Sequence, residues 1–210
     1  VMALKPIYDL AKIKRVIVST YQAVSGAGKE GIDELDAQVR EHSEGREMTA
    51  NILPSASAEK HYPIAFNLIP QIDVFCDNLY TKEEMKMVNE TKKIMEDYEM
   101  RITATTIRVP VYRSHSESVN IELEKEVDLG AMREALAKFP GVTVQDDPSK
   151  QEYPMPLYTS EKDDVYVGRL RRDESCEKSY NMWVVGDQIR KGAALNTLQI
   201  AETMIKNGWI

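Results

Sequence analysis

The chain has 210 residues, 42% of them apolar and 29% charged, which is typical of a folded globular protein with a substantial core. Its 27 basic and 34 acidic residues give a formal charge of −7, which disfavours nucleic acids and anionic membranes, since both are bound mainly by neutralising their negative charge. No apolar run approaches the roughly 20 residues of a membrane span and no signal peptide is recognisable, so we expect a cytoplasmic protein.

The first residues predict a helix that is already under way at Val1, because no capping residue precedes it. Its helical spacing is kept by Leu4, Ile7, Leu10, Ala11 and Lys14. We therefore expect further sequence upstream of Val1. The β-branched run 15–22 predicts a buried strand that ends in the turn Ser25-Gly26-Ala27-Gly28, with a polar helix over 30–43.

Residues 44–60 are predicted to form a loop, and the apolar segment 63–70 is too rich in proline for a central strand. Thr81 and Glu84 form the S/T-x-x-E signature of a helix start. The region 101–125 contains two strand-like runs joined by the polar segment 113–117, which predicts an antiparallel sheet.

The remaining residues predict a short helix at 129–138 and strands at 141–144, 164–170 and 180–185. A final long helix is expected from Asp187, as its N-cap, to Asn207, with Gly208 just beyond its end. The predicted fold class is α+β, a mixed and largely antiparallel sheet with helices on one face.

Cys76 and Cys176 are far apart and outside any C-x-x-C spacing, so the sequence indicates neither a metal site nor a disulfide framework. Other segments carry chemically useful residues, but each has an ordinary explanation when taken alone. Glu83 and Lys86 have the spacing of a solvated helix pair, worth about 0.2–0.5 kcal/mol. Arg108 suits a cross-strand ion pair.

Taken in order, four segments closely resemble the aspartate-semialdehyde dehydrogenases, and the likeness covers essentially all 210 residues. These segments are 19–28, 83–86, 108–115 and 187–196, and the runs 65–73 and 192–202 extend the likeness.

The resemblance implies a C-terminal domain like that of glyceraldehyde-3-phosphate dehydrogenase. Residues 1–186 would be the substrate-binding, catalytic and dimerisation domain, and 187–210 a C-terminal helix packing on a nucleotide-binding domain that this sequence lacks. It also implies a homodimer or a tetramer of dimers.

The activity implied by the resemblance is reduction of β-aspartyl phosphate to aspartate β-semialdehyde with NADPH, through a cysteine thioester, in lysine, threonine and methionine biosynthesis. Arg108 matches the arginine that grips the substrate carboxylate, Glu83 the acid that pairs with the amino group, and Lys86 the lysine that helps hold phosphate. His115 matches the acid/base, which suits a group with an ordinary pKa of ~6.5. Gln22 matches the glutamine that orients the acyl group.

For the NADP cofactor, Ser25, Gly26 and Gly28 resemble the turn that approaches the nicotinamide closely. Gln188 occupies a cofactor-facing position where family members often carry asparagine.

Three alternatives remain at this point. A non-catalytic dimerisation or interaction module would have no reason to retain Gln22, Glu83, Lys86, Arg108 and His115 as a set. The related acetylglutamyl-phosphate reductases handle an acylated amine, which offers no charge for Glu83 to pair with. The substrate domain of an unrelated dehydrogenase would leave the arrangement of Arg108 and His115 unexplained.

The cysteine nucleophile of the family lies in an Asn-Cys-Ser/Thr motif that this sequence lacks, and neither Cys76 nor Cys176 has that context. We therefore predict that the 210-residue chain alone has no measurable reductase activity in an NADPH-coupled assay. Turnover that disappears on mutating Cys76 or Cys176 would contradict this prediction.

Overall fold

The computed structural model describes all 210 residues and contains six α-helices and six strands. The helices are α1 (Leu4–Leu10), α2 (Gly28–Ser43), α3 (Lys82–Met95), α4 (Leu129–Lys138), α5 (Pro156–Thr159) and α6 (Leu195–Lys206). The strands are β1 (Ile13–Gln22), β2 (Arg101–Arg108), β3 (His115–Leu123), β4 (Val142–Val144), β5 (Val165–Arg172) and β6 (Ser179–Gly186). A 3-10 turn spans Val24–Ala27, another spans Pro148–Lys150, and a π-helical turn spans Arg190–Ala194. None of the helices combines the length and apolarity that crossing a membrane requires.

All six strands form one sheet in the order β2-β1-β3-β6-β5-β4. The pairs β1–β2 and β4–β5 are parallel and the three remaining pairs are antiparallel. Helices α1, α3 and α4 supply residues to the large apolar core together with alternate residues of the central strands. The predicted α+β class, with a mixed sheet and helices on one face, is confirmed.

The core is built on the alternation that each strand shows along its length. Val16 and Val18 of β1 lie beside Val119 and Ile121 of β3, and all four are buried. Residues on the opposite face of the same strands, such as Asn120, lie outside this core and are half-exposed. The helix-covered face therefore excludes water along the middle of the sheet.

A smaller apolar cluster lies between α2 and the long connection that follows it, with Leu53 and Ile64 fully buried. Gln38 of α2 is fully buried beside this cluster. Its amide oxygen accepts hydrogen bonds from the backbone N–H groups of Ile64 and Ala65, at 2.8 and 3.0 Å. These bonds satisfy loop backbone groups that burial removes from water.

The predicted first helix was too long. Ala11 is already extended, with φ −156° and ψ 129°, and Lys14 belongs to β1. Lys14 has helical spacing, but the chain is extended here because the neighbouring Ile13 pairs with Leu123 of β3.

The region 101–125 also differs from its prediction. Its two strands do not pair, because β1 lies between them, and β3 begins at His115 inside the segment predicted to be a polar connection. The connection instead crosses the end of β1, where the Val24 N–H donates to the Val111 carbonyl at 2.8 Å.

Both predicted helix signals are present. The Thr81 hydroxyl accepts from the Glu84 N–H at 3.2 Å, and the Glu84 carboxylate accepts from the Thr81 N–H at 2.8 Å. Gly208 has φ +67° directly after the last helix. The helix predicted from Asp187 is interrupted, since a π-helical turn precedes α6.

Leu136 of α4 is fully buried in the large core, whereas Leu157 of α5 is 79% exposed. We predict that Leu136→Ala lowers the free energy of unfolding by about 2–5 kcal/mol, because it leaves a cavity. Leu157→Ala is the matched control and should change that free energy by less than about 0.5 kcal/mol. Urea unfolding measures both, and equal losses would show that α4 does not hold the core in this way.

Candidate functional site

The sheet brings three of the predicted site residues to one edge. Gln22 is the last residue of β1 and is paired with Arg108, the last residue of β2. Strand β3 runs antiparallel to β1, so its first residue, His115, lies at the same edge. All three follow the alternation of the buried face, so their side chains lie on the helix-covered side of the sheet.

The start of α3 adds Glu83 and Lys86 to this edge. The Gln22 side-chain amide donates to Glu83 Oε1 at 3.3 Å, and Lys86 Nζ lies 3.4 Å from Glu83 Oε2. The neighbouring Glu84 is buried and also accepts from the backbone N–H of Thr106 in β2 at 2.9 Å. This bond fixes the first turn of α3 against the strand that carries Arg108.

Arg108 is a buried cation without a carboxylate partner. Only 4% of the residue is exposed, its Nη1 donates to the Ala23 carbonyl at 2.7 Å, and its Nε has no hydrogen-bond partner. Burial lowers the pKa of the guanidinium from 12.5 to about 10, and the charge of Glu83 acts in the opposite direction. The arginine is still charged at pH 7, so the site can bind an anion strongly.

Ala23, whose carbonyl binds Arg108, also holds His115, because its N–H donates to His115 Nδ1 at 3.1 Å. Burial lowers the pKa of the imidazole from 6.5 to about 3, with a further lowering by Arg108 and Lys86 and an opposing effect of Asp187. The ordinary pKa assumed from the sequence therefore does not hold for this arrangement of charges. The ring is neutral at pH 7 and, with Nδ1 accepting, carries its hydrogen on Nε2.

The residues of the turn predicted to contact a cofactor differ in their surroundings: Gly26 lies against Arg108 and His115, whereas Ser25 contacts Gln188. A Cβ atom at Gly26 would lie 2.7 Å from Arg108 Nη1 and 3.5 Å from His115 Cε1, so this glycine lets the backbone lie close to both side chains. Ser25 Oγ accepts from the Gln188 side-chain amide at 2.7 Å. Gly28 has φ +81° with open space around it, which suits a backbone turn. The Gln188 carbonyl oxygen Oε1 is buried without a partner.

A cavity of about 280 Å³ lies beside the site on the helix-covered face and is lined mainly by apolar side chains. His115 and Gln188 line it together with Val1, Met87 and Glu117. Arg108 and Gln22 do not line it, so His115 is the member of the site that faces the cavity.

The structure thus brings together all five residues predicted for catalysis and substrate binding, and it places Ser25, Gly26 and Gln188 beside them. Two contributors were missed. Ala23 acts through its backbone, for which its methyl side chain gives no signal. Asp187 does cap the following turn, as predicted, by accepting from the Ile189 N–H at 2.9 Å, but nothing in the sequence indicated that it is also fully buried and ion-paired to Arg113 at 2.9 Å.

The shifted pKa of His115 makes folding stability depend on pH. The unfolded chain takes up a proton below about pH 6.5, whereas the folded chain does so only near pH 3, so acid favours unfolding. We predict that the free energy of unfolding falls by up to about 1.4 kcal/mol per pH unit through this window, and that His115→Gln removes this part of the slope. Urea unfolding between about pH 6.5 and pH 4.5 measures it, with the exposed His42→Gln as control. Parallel curves for the wild type and His115→Gln would contradict the assignment.

Comparison with known proteins identifies the family of this chain. The family model of the semialdehyde dehydrogenase dimerisation domain matches residues 4–191. Aspartate-semialdehyde dehydrogenase of Aquifex aeolicus is 52% identical over 210 residues, covering 100% of this chain and 60% of that protein. The Bacillus subtilis enzyme is 49% identical over 207 residues, covering 98% of this chain and 60% of that protein. This chain therefore spans about 60% of the length of the curated relatives it matches.

Among solved structures, Vibrio cholerae aspartate semialdehyde dehydrogenase II complexed with ASA superimposes with a TM-score of 0.90 and 44% identity. That match covers 97% of this chain and 58% of the other. The family model, the curated relatives and the solved structure agree on the family and the fold. The chain therefore belongs to the semialdehyde dehydrogenase dimerisation-domain family, as its resemblance to the aspartate-semialdehyde dehydrogenases predicts.

Proposed function

We propose that this chain is the substrate-binding, acid/base and pairing half of an aspartate-semialdehyde dehydrogenase, which reduces β-aspartyl phosphate to aspartate β-semialdehyde. The observation that carries this proposal is the buried guanidinium of Arg108, which has no carboxylate partner of its own and lies beside Glu83, Lys86 and His115. A desolvated cation kept without a partner is costly unless a ligand supplies the anion.

The charges of the site match the three charged groups of the substrate. The planar fork of Arg108 suits the α-carboxylate, because a guanidinium can form two parallel hydrogen bonds to it. Glu83 supplies the opposite charge for the substrate ammonium. Lys86 is exposed and pairs with Glu83 at 3.4 Å, so a substrate ammonium that binds Glu83 in its place leaves Lys86 free for the phosphate.

His115 is proposed as the acid/base. In the present arrangement its Nδ1 accepts from Ala23, so Nε2 is the nitrogen that can donate a hydrogen to a reacting oxygen or sulfur. An acyl phosphate or thiolate brought next to the ring adds negative charge, which raises the pKa of the imidazole towards neutrality. Gln22, fixed by its bond to Glu83, is proposed to orient the acyl group.

The nucleophile is proposed to be a cysteine thiolate on sequence preceding Val1. The cavity beside the His115 imidazole offers room for such a group. Cys76 and Cys176 do not line this cavity, in keeping with the bystander role predicted for them.

NADP is proposed as the cofactor, and it would supply the hydride when bound. Gln188 fits this group, because its buried, unpartnered Oε1 can accept from the carboxamide of a nicotinamide. Ser25 fixes Gln188, and Gly28 leaves open space beside the turn. Gly26 fits less well as a direct contact, because it lies against Arg108.

Pairing into a homodimer, with a tetramer of dimers as the larger assembly, is proposed through the face of the sheet opposite α1, α3 and α4. Tyr21 and Trp183 lie on that face with ring centroids 5.5 Å apart.

Residues 187–210 are proposed to pack on a nucleotide-binding domain. Helix α6 has no buried residue and exposes Leu198 and Ile205, which supports this role.

The charge match predicts a selective effect of Glu83→Gln on ligand binding. Affinity of this chain for aspartate β-semialdehyde should fall about 10-fold or more, since a hydrogen bond to a charged group is worth about 1.5–3 kcal/mol. Affinity for succinate semialdehyde, which lacks the ammonium, should not change. Isothermal titration calorimetry measures both.

Glu90→Gln is the matched control, because Glu90 is exposed on the same helix. It should leave the affinities for both ligands unchanged. Equal weakening of both ligands by Glu83→Gln, or no weakening of either, would refute the assigned role of Glu83.

A further inference from the structure

The backbone immediately before His115 is strained. Ser114 is fully buried and has φ +69°. This is the left-handed region, in which residues other than glycine are disfavoured. This residue forms the sharp turn between the connection 109–114 and β3, so its conformation sets the direction in which the His115 side chain leaves the strand. Such a conformation persists only where neighbouring contacts hold it.

Arg113, the residue before this turn, forms an ion pair with a buried carboxylate. Arg113 Nη2 lies 2.9 Å from Asp187 Oδ2, and Asp187 is fully buried directly after the end of β6. The Asp187 carboxylate also accepts from the backbone N–H of Glu161 at 2.7 Å and of Ile189 at 2.9 Å. Arg113 forms a second ion pair at 2.9 Å with Glu161, but that carboxylate is 76% exposed, and exposed ion pairs contribute little to stability.

We propose that Asp187 is a positioning residue for His115, which acts by anchoring Arg113 and thereby holding Ser114 in its left-handed conformation. The proposal deepens the acid/base role proposed for His115 and rests on it. With the turn held, His115 Nδ1 stays on the Ala23 N–H at 3.1 Å and the hydrogen stays on Nε2. Without the anchor, Ser114 relaxes and the ring loses its fixed direction.

Charge and connectivity support the same assignment. Burial, Arg108 and Lys86 lower the pKa of His115, and the charge of Asp187 acts in the opposite direction. Asp187 also caps the segment that carries Gln188, whose side chain donates to Ser25 in the turn beside His115. One carboxylate therefore fixes both the imidazole and the residue proposed to face the nicotinamide.

The test reads the imidazole directly, by nitrogen-15 NMR of the labelled 210-residue chain at about pH 7. The wild type should show a through-hydrogen-bond coupling between the Ala23 amide nitrogen and His115 Nδ1, and ring shifts of a single tautomer with hydrogen on Nε2. Arg113→Gln and Asp187→Asn should lose the coupling and show a mixture of tautomers. Arg113→Lys should retain both signals, because an ammonium can still bind Asp187.

Glu161→Gln is the matched control, since it removes the exposed carboxylate that also contacts Arg113 while the backbone bond to Asp187 remains. It should leave the coupling and the tautomer unchanged. Loss of the His115 signals in this control as well would assign the anchor to the exposed pair and refute the proposal.

Asp187→Asn leaves Arg113 without its buried partner and could prevent folding, so urea unfolding is measured for every variant. If Asp187→Asn does not fold, the result for Arg113→Gln alone decides whether the proposal holds. A folded Arg113→Gln chain that keeps the coupling and the single tautomer would refute the proposal. So would a wild-type chain that lacks the coupling. Substrate is absent from this experiment, so its outcome is independent of the ligand affinities that test the proposed function.

Discussion

The site depends on the two backbone groups of one residue, Ala23. It follows the last residue of β1, so its N–H and carbonyl are free of the sheet ladder and available to side chains. The carbonyl accepts from Arg108 and the N–H donates to His115, at 2.7 and 3.1 Å. A rigid peptide group thereby holds a cation and a neutral imidazole next to each other. Their relative position follows from the strand end and does not require a side chain at position 23.

The electrostatic balance of the site follows from this arrangement. Placing Arg108 away from water without a carboxylate lowers its pKa to about 10, which corresponds to a cost on the order of 3 kcal/mol. The same charge helps to keep His115 neutral. An anionic substrate would relieve both effects, because it would compensate Arg108 and favour protonation of the ring. In the proposed function, binding and proton transfer would thus be coupled through one unpaired charge.

Several features of this arrangement could be predicted from the sequence. The α+β class and the capping box of α3 follow from local patterns, since each depends on side-chain type at a recognisable spacing. The resemblance selected site residues that the fold places close together, and their roles remain a proposal. The incorrect predictions have a common origin, which is strand pairing with residues far away in the sequence. Lys14 fits a helix by spacing, yet β1 recruits it through pairing with β3. Residues 101–125 have the local pattern of two neighbouring strands, yet β1, far away in the sequence, lies between them.

The sequence by itself determined which chemical groups this protein has: a guanidinium, an imidazole, two side chains of opposite charge on one helix turn, and a glycine turn that leaves room for them. The tertiary structure alone decided their properties, such as the lowered pKa of His115, the missing partner of Arg108 and the link from Asp187 to the turn before His115. The physical reason is that desolvation and charge–charge interactions depend on distances through space. Those distances are set by strand register and burial, which no local pattern specifies.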